Sequence, residues 1–318
     1  MLFRSAFPTR YPVIGSLFLC AFAGGFMKPV ITGTVVRTSP PGRRDEGFGI
    51  FYRMINAGSV IGKTLAYIVR RLVAIRFVAG TSVIASLAAL GIALFAYKEP
   101  EDATEEAKPS LGEVLRGYLD ALVNVRFTIS LVVFAGFYFM AEQFYMTFPK
   151  YVTRHIDKGA PLEIITLINP ACIALFQGFV IKAFKKVDPF WTMAIGCGIG
   201  AVAMLVMGAI PTLLGACLSG AIFAFAEMTF SPRFYDSIAA FAPKGKAGLF
   251  MGLAFVPAAI GAWIGGQASG RLIATYLPAD GPRAPFTIWS TYAALGAGCA
   301  LLIAVYGLAT KSYRAARS

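Results

Sequence analysis

The sequence predicts an all-α membrane protein, a bundle of about nine membrane-crossing helices. Three observations lead there. The 318 residues are 57% hydrophobic and only 14% charged, with a mean hydropathy of +0.68, whereas soluble domains carry nearer a quarter charged residues. Apolar runs recur at about the 20 residues that cross a bilayer as a helix. Strand-like alternation is lacking, so a β-barrel is not expected.

The predicted spans are 13–35, 48–69, 75–97, 127–149, 162–182, 189–210, 213–232, 247–270 and 286–309. The first begins ambiguously. Arg4 and Arg10 precede an apolar run, and Ala21-Phe22-Ala23 has the form of a signal-peptide cleavage site. The run nevertheless continues to Val36, which suits a span better than a leader. Lys28 lies deep in it, beside a Pro29 that loosens the backbone. The Pro-, Gly- and charge-rich segment 38–47 reads as a turn.

The second span is unusual because it carries Arg53, Asn56 and Lys63. Tyr52, Asn56, Ser59 and Lys63 follow helical spacing and form one polar stripe, which in a membrane faces a water-filled path or partner helices. Gly58 and Gly62 sit on another flank, where a small-xxx-small pair admits a neighbouring helix. The third span is plain. After it, 98–110 is acidic and expected to be mobile. Residues 111–124 then place Leu111, Val114, Leu115, Tyr118, Leu119 and Leu122 on one face, as in a helix lying along a membrane surface. This connection divides the chain into 1–97, with three spans; 98–126, a cytoplasmic linker; and 127–318, with six.

Among the later spans, 127–149 carries Glu142 and Gln143, 162–182 carries Asn169-Pro170 and Gln177, and 213–232 carries Glu227 and ends in Ser231-Pro232. Gly196, Gly198 and Gly200 lack the preceding strand that a nucleotide fingerprint requires. Pro257 and the glycines at 261, 265, 266 and 270 suit a kink and close packing.

The net charge of +13 invites a nucleic-acid reading, but the Lys and Arg lie mostly in connections, where they set topology. With the C-terminus in the cytoplasm of a bacterial inner membrane, the inner connections hold most of them; Arg70, Arg71 and Arg76 oppose the rule. No nucleic-acid partner, cofactor, metal site or catalytic residue set is expected. Cys20, Cys172, Cys197, Cys217 and Cys299 read as buried free thiols, and His155 as a solvated loop residue.

Of the 16 acidic residues only Glu142 and Glu227 fall deep in spans, and the deep cations are Lys28, Arg53 and Lys63. A central charge costs about 2.5–3.5 kcal/mol on insertion scales. The cations all precede the linker and both carboxylates follow it. If the halves face each other, the cavity between them is positive on one wall and negative on the other. A zwitterion fits it, carboxylate toward the cations and amine toward Glu142 or Glu227. The same carboxylates are candidate proton carriers, because a low-dielectric setting disfavours a bare carboxylate. Structural ion pairing between the halves is the alternative for Lys28, Lys63, Glu142 and Glu227. Snorkelling is the alternative for Arg53, about 8 Å from its helix end at 1.5 Å per residue.

Several segments resemble one family. Gly24 to Pro29 resembles its G-x-K-P segment, and Phe51-Tyr52-Arg53-Met54-Ile55-Asn56-Ala57-Gly58-Ser59 its F-Y-x-x-I-N-x-G-S signature. Ala141-Glu142-Gln143, Ile168-Asn169-Pro170, Glu227 with Ser231-Pro232, and Ala242-Pro243-Lys244 with Gly248 to Leu253 follow in the family's order. The chain thus resembles the major facilitator superfamily and, within it, the proton-dependent oligopeptide transporters. The resemblance implies helices four to twelve of a twelve-helix fold, without the first three and their E-x-x-E-R motif. It implies proton-coupled symport of small peptides or similar zwitterions by alternating access. Lys28 and Asn56 would hold the substrate carboxyl end and backbone, Asn169 would line the pocket, Glu227 would meet the amine, and Glu142 would couple protons. Tyr52 and Lys63 join the expected substrate contacts through the polar stripe. A carrier or exporter of another small solute, or a transport-inactive membrane protein, remains the alternative.

Overall fold

The computed structural model describes residues 10–40, 42–74, 77–98, 110–243 and 245–310, and the described residues are helical with no strand among them. The acidic stretch at 99–109, Arg4, Arg76 and Lys244 lie outside the described residues. Eight described helical segments are long and apolar enough to cross a membrane. A ninth helix, the one with the polar stripe, has the length but is too polar to qualify by composition.

Three helices come first: α1 (Arg10–Thr38), α2 (Arg44–Leu72) and α3 (Val78–Phe95). α4 (Leu111–Val123) opens with a reciprocal capping box. Ser110 Oγ accepts from the Glu113 amide, and the Glu113 carboxylate accepts from the Ser110 amide. These bonds hold the Glu113 carboxyl below its ordinary pKa. Gly117 and Ala121 are buried, and Leu111, Leu115, Leu119 and Leu122 stay exposed, an apolar face suited to a lipid surface.

α5 (Val125–Met146) is capped by Asn124 and runs on through α6 (Phe148–Tyr151) into a π-turn, Val152–Ile156. His155 therefore belongs to an ordered turn rather than a loop; it is partly exposed and stacked on Tyr151 with ring centroids 5.8 Å apart. The fifth span is split at Thr166 and Leu167 into α7 (Leu162–Ile165) and α8 (Ile168–Phe184). α9 (Pro189–Ala209) starts on an Asp188 cap with Pro at its first position, where no amide donor is needed. α10 (Leu213–Phe241) does not stop at Ser231-Pro232 as expected; it continues through Pro232 to Phe241. α11 (Ala247–Leu253) and α12 (Val256–Tyr276) divide at Ala254–Phe255, just before Pro257, and α13 (Pro285–Ala309) closes the bundle.

α9 is wedged between α10 and α13, α5 packs on α12 and α13, and α2 lies on α8 and α10. Aromatic rings fill the α5–α10 interface; Phe137 and Phe230 stack with centroids 3.9 Å apart. Glycines permit the tightest approaches: a Cβ on Gly261 would sit 2.6 Å from the Phe139 amide nitrogen of α5. The Gly196 region serves the same end, since a Cβ there would lie 3.0 Å from the Ala226 carbonyl. Gly58 and Gly62 depart from expectation: nothing described lies within 4 Å of a Cβ at either. α3 packs on α2 and buries none of its described residues. An apolar helix flank costs little against acyl chains, so such exposure suits a membrane. The cysteines are free, but only Cys197 and Cys299 are fully buried, with sulfurs 3.7 Å apart, and Cys20 is exposed.

Candidate functional site

α2 organises the site. Asp45, Tyr52, Lys63 and Arg70 fall within about 20° of one another on a helix of 100° per residue, so they form one polar seam. Along this seam and the adjoining flank that carries Glu46 and Arg53, α2 bonds to the chain after the linker. Asp45 Oδ2 pairs with Arg233 of α10 at 3.0 Å, and Glu46 with Lys185 at 3.1 Å. The Tyr52 hydroxyl donates to Glu227 Oε1 at 3.2 Å. Arg53 Nε donates to the Ala174 carbonyl at 2.8 Å, Lys63 Nζ to the Thr166 carbonyl at 2.8 Å, and Arg70 pairs with Glu163 at 2.9 Å.

A small pocket of about 40 Å³ lies in the half of the bundle toward Arg70. Lys63 of α2, Asn169 of α8 and Glu227 of α10 all line it. Phe144, Tyr145 and Phe148 at the α5–α6 junction and Phe223 of α10 supply the aromatic lining. Glu227 is anchored from two sides, since Asn169 Nδ2 donates to its Oε2 at 2.8 Å and Tyr52 to its Oε1. Lys63 reaches Glu227 electrostatically, and its bond to the Thr166 carbonyl uses one of three ammonium donors.

The breaks in the helices position these groups. The stop at Thr166 and Leu167 leaves the Thr166 carbonyl free to take Lys63 and starts α8 one residue before Asn169. Of the residues expected at the site, Tyr52, Lys63, Asn169 and Glu227 come together here. Lys28 and Glu142 form a second set: Lys28 is exposed, lies over the Phe255 ring at 5.7 Å, and acts electrostatically on the half-buried Glu142. Asn56 is buried but turns back to donate to the Tyr52 carbonyl of its own helix at 2.8 Å.

Sequence reasoning missed the ends of the seam. By the predicted bounds Asp45, Arg70 and Arg233 fall in connections and Glu163 at the edge of a span. Extending the helical spacing of Tyr52 and Lys63 by seven residues each way would have found Asp45 and Arg70. Arg233 was hidden because Pro232 reads as a stop.

The profile of the Major Facilitator Superfamily matches residues 1–266. Among solved structures, the chain is similar to a POT family transporter in complex with 5-aminolevulinic acid. The TM-score is 0.64 and the identity 16%, covering 93% of this chain and 76% of that one. It is also similar to a POT family transporter in complex with a thioalcohol-conjugated peptide, with TM-score 0.61 and 16% identity over 88% of this chain and 73% of that one. A search of the curated proteins finds no match. At such identities the solved structures establish the shared fold. The polar seam in a bundle of spanning helices, the fold and the profile agree: the chain belongs to the major facilitator superfamily.

Proposed function

We propose that this protein is a proton-coupled symporter of small peptides or similar zwitterions, working by alternating access. The observation that carries the reading is a pocket lined by both Lys63 and Glu227, with aromatic rings among the other lining residues. A substrate with one amine and one carboxylate satisfies both charges at once, whereas a neutral or singly charged solute leaves one of them unpaired at a cost. Lys63 takes the carboxylate, Glu227 the amine, and Asn169 and Tyr52 orient Glu227. Lys28 and Glu142 form the proton-handling set. The neighbours solved with a peptide conjugate and with 5-aminolevulinic acid support a ligand of this chemistry. The protein sits in the inner membrane with its C-terminus in the cytoplasm. The Asp45–Arg233 and Glu46–Lys185 pairs then close the cytoplasmic side, and the pocket lies toward the outside. Transport rocks the helices before the linker against those after it, breaking the two ends of the seam in turn.

The test is uptake into proteoliposomes under an imposed pH gradient. Glu227→Gln is expected to abolish uptake of dialanine while leaving membrane insertion intact, and Lys63→Met to weaken dialanine more than its carboxamide. Wild-type uptake by Glu227→Gln would reject the reading.

A further inference from the structure

Pro232 lies inside α10 and has no amide hydrogen, so the Met228 carbonyl one turn earlier loses its helical donor. Within a membrane such a carbonyl needs another partner. Gln177 of α8 supplies it: its Nε2 donates to the Met228 carbonyl at 3.1 Å, and its side chain is 0% exposed. Gln177 lies eight residues after Asn169 on α8, about 80° further round the helix at 100° per residue, and both side chains still reach α10. Met228 directly follows Glu227. Two amides of one helix thus grip adjacent residues of another, Asn169 by the carboxylate and Gln177 by the backbone.

We propose that Gln177 is a positioning residue for Glu227, fixing the turn of α10 at its proline break so that the carboxylate stays between Asn169 and Tyr52. The inference rests on the transport reading for its consequence, but not for its geometry. A hydrophobic residue at 177 leaves the Met228 carbonyl unbonded, and α10 relieves this by turning about the break. Glu227 then moves off Asn169 and Tyr52. The other ionisable groups that act on it are Lys63 of α2 and Tyr145 and Tyr138 of α5.

The experiment compares wild type, Gln177→Leu, Pro232→Ala and the double variant in the full-length protein. The first readout is the pH profile of Glu227 modification by a hydrophobic carbodiimide, followed by mass spectrometry. The second is KM for dialanine uptake. Gln177→Leu is expected to raise the modification midpoint by about one pH unit, because a carboxylate losing donors protonates more readily. KM is expected to rise about tenfold, a change of about 1.4 kcal/mol. Pro232→Ala in the same background returns an amide hydrogen to the Met228 carbonyl and is expected to restore the midpoint. A Gln177→Leu protein that folds with the wild-type midpoint and KM overturns the inference. If Gln177→Leu fails to fold, a double variant that folds supports the inference, and one that does not overturns it. If wild type carries no dialanine, the transport reading fails and the modification profile alone decides the role of Gln177.

Discussion

Replacing Arg233 by Met tests the end of the seam that closes on Asp45. The Arg233 guanidinium pairs with Asp45 at 3.0 Å and donates to the Phe184 carbonyl at 3.0 Å; both side chains of the ion pair are 11% exposed. Asp236 also interacts with Arg233 and with Asp45. Met keeps length and apolar bulk but leaves the Asp45 carboxylate buried without this partner and the last turn of α8 without a carbonyl donor. Removing one member of a buried pair costs about 3–5 kcal/mol, and the lost carbonyl bond adds about 1 kcal/mol. An Asp45→Leu, Arg233→Met double variant removes both charges, and apolar replacement of a whole buried pair is often neutral. Unfolding free energies in detergent micelles should therefore place Arg233→Met at least 3 kcal/mol below wild type, with the double variant recovering to within about 1 kcal/mol. A single variant within about 0.5 kcal/mol of wild type, or a double variant no better than the single, would refute the reasoning.

Three further outcomes are expected. Glu142→Gln should lose accumulation driven by a pH gradient yet retain counterflow; persistent gradient-driven accumulation would reject a proton role for Glu142. Gly261→Ala should lower folded yield and cost about 1–3 kcal/mol, because its Cβ meets the Phe139 amide nitrogen at 2.6 Å and the Ala135 carbonyl at 2.9 Å. Gly58→Ala, with nothing described within 4 Å, should be neutral, and equal stability of the two variants would count against the packing argument. The Glu113 carboxyl has a lowered folded-state pKa, so its contribution to α4 is complete above the unfolded value of about 4.3 and disappears as pH falls through the lower folded value. Hydrogen exchange at the start of α4, corrected for intrinsic rate, should show this acid step in wild type and not in Glu113→Gln.

How far the fold could be read depends on which rule each element obeys. The apolar spans follow from composition, because lipid demands long helices whose backbone bonds close within the segment. The ends of α4, α5 and α9 were readable from Ser110, Asn124 and Asp188 or Pro189, since caps are local chemistry. The end of α10 was not. Pro232 carries a local stop signal, yet the helix continues through it, and the Met228 carbonyl that Pro232 leaves without a helical donor takes one from Gln177, 55 positions away. The α8 and α12 starts are local by contrast, since Pro170 and Pro257 stand in the first turns of those helices.

By itself the sequence determined the class, the order of spans, the polar stripe of α2 and the separation of deep cations from deep carboxylates, all of which are properties of single helices. Tertiary structure decided which charges meet: Lys63 and Tyr52 reach Glu227, Lys28 reaches toward Glu142, Asn56 bonds its own helix, and Asp45 finds Arg233. Helical spacing fixes the angle at which a side chain leaves its own axis. Which neighbour stands at that angle depends on how the helices pack around one another, and no single span carries that information.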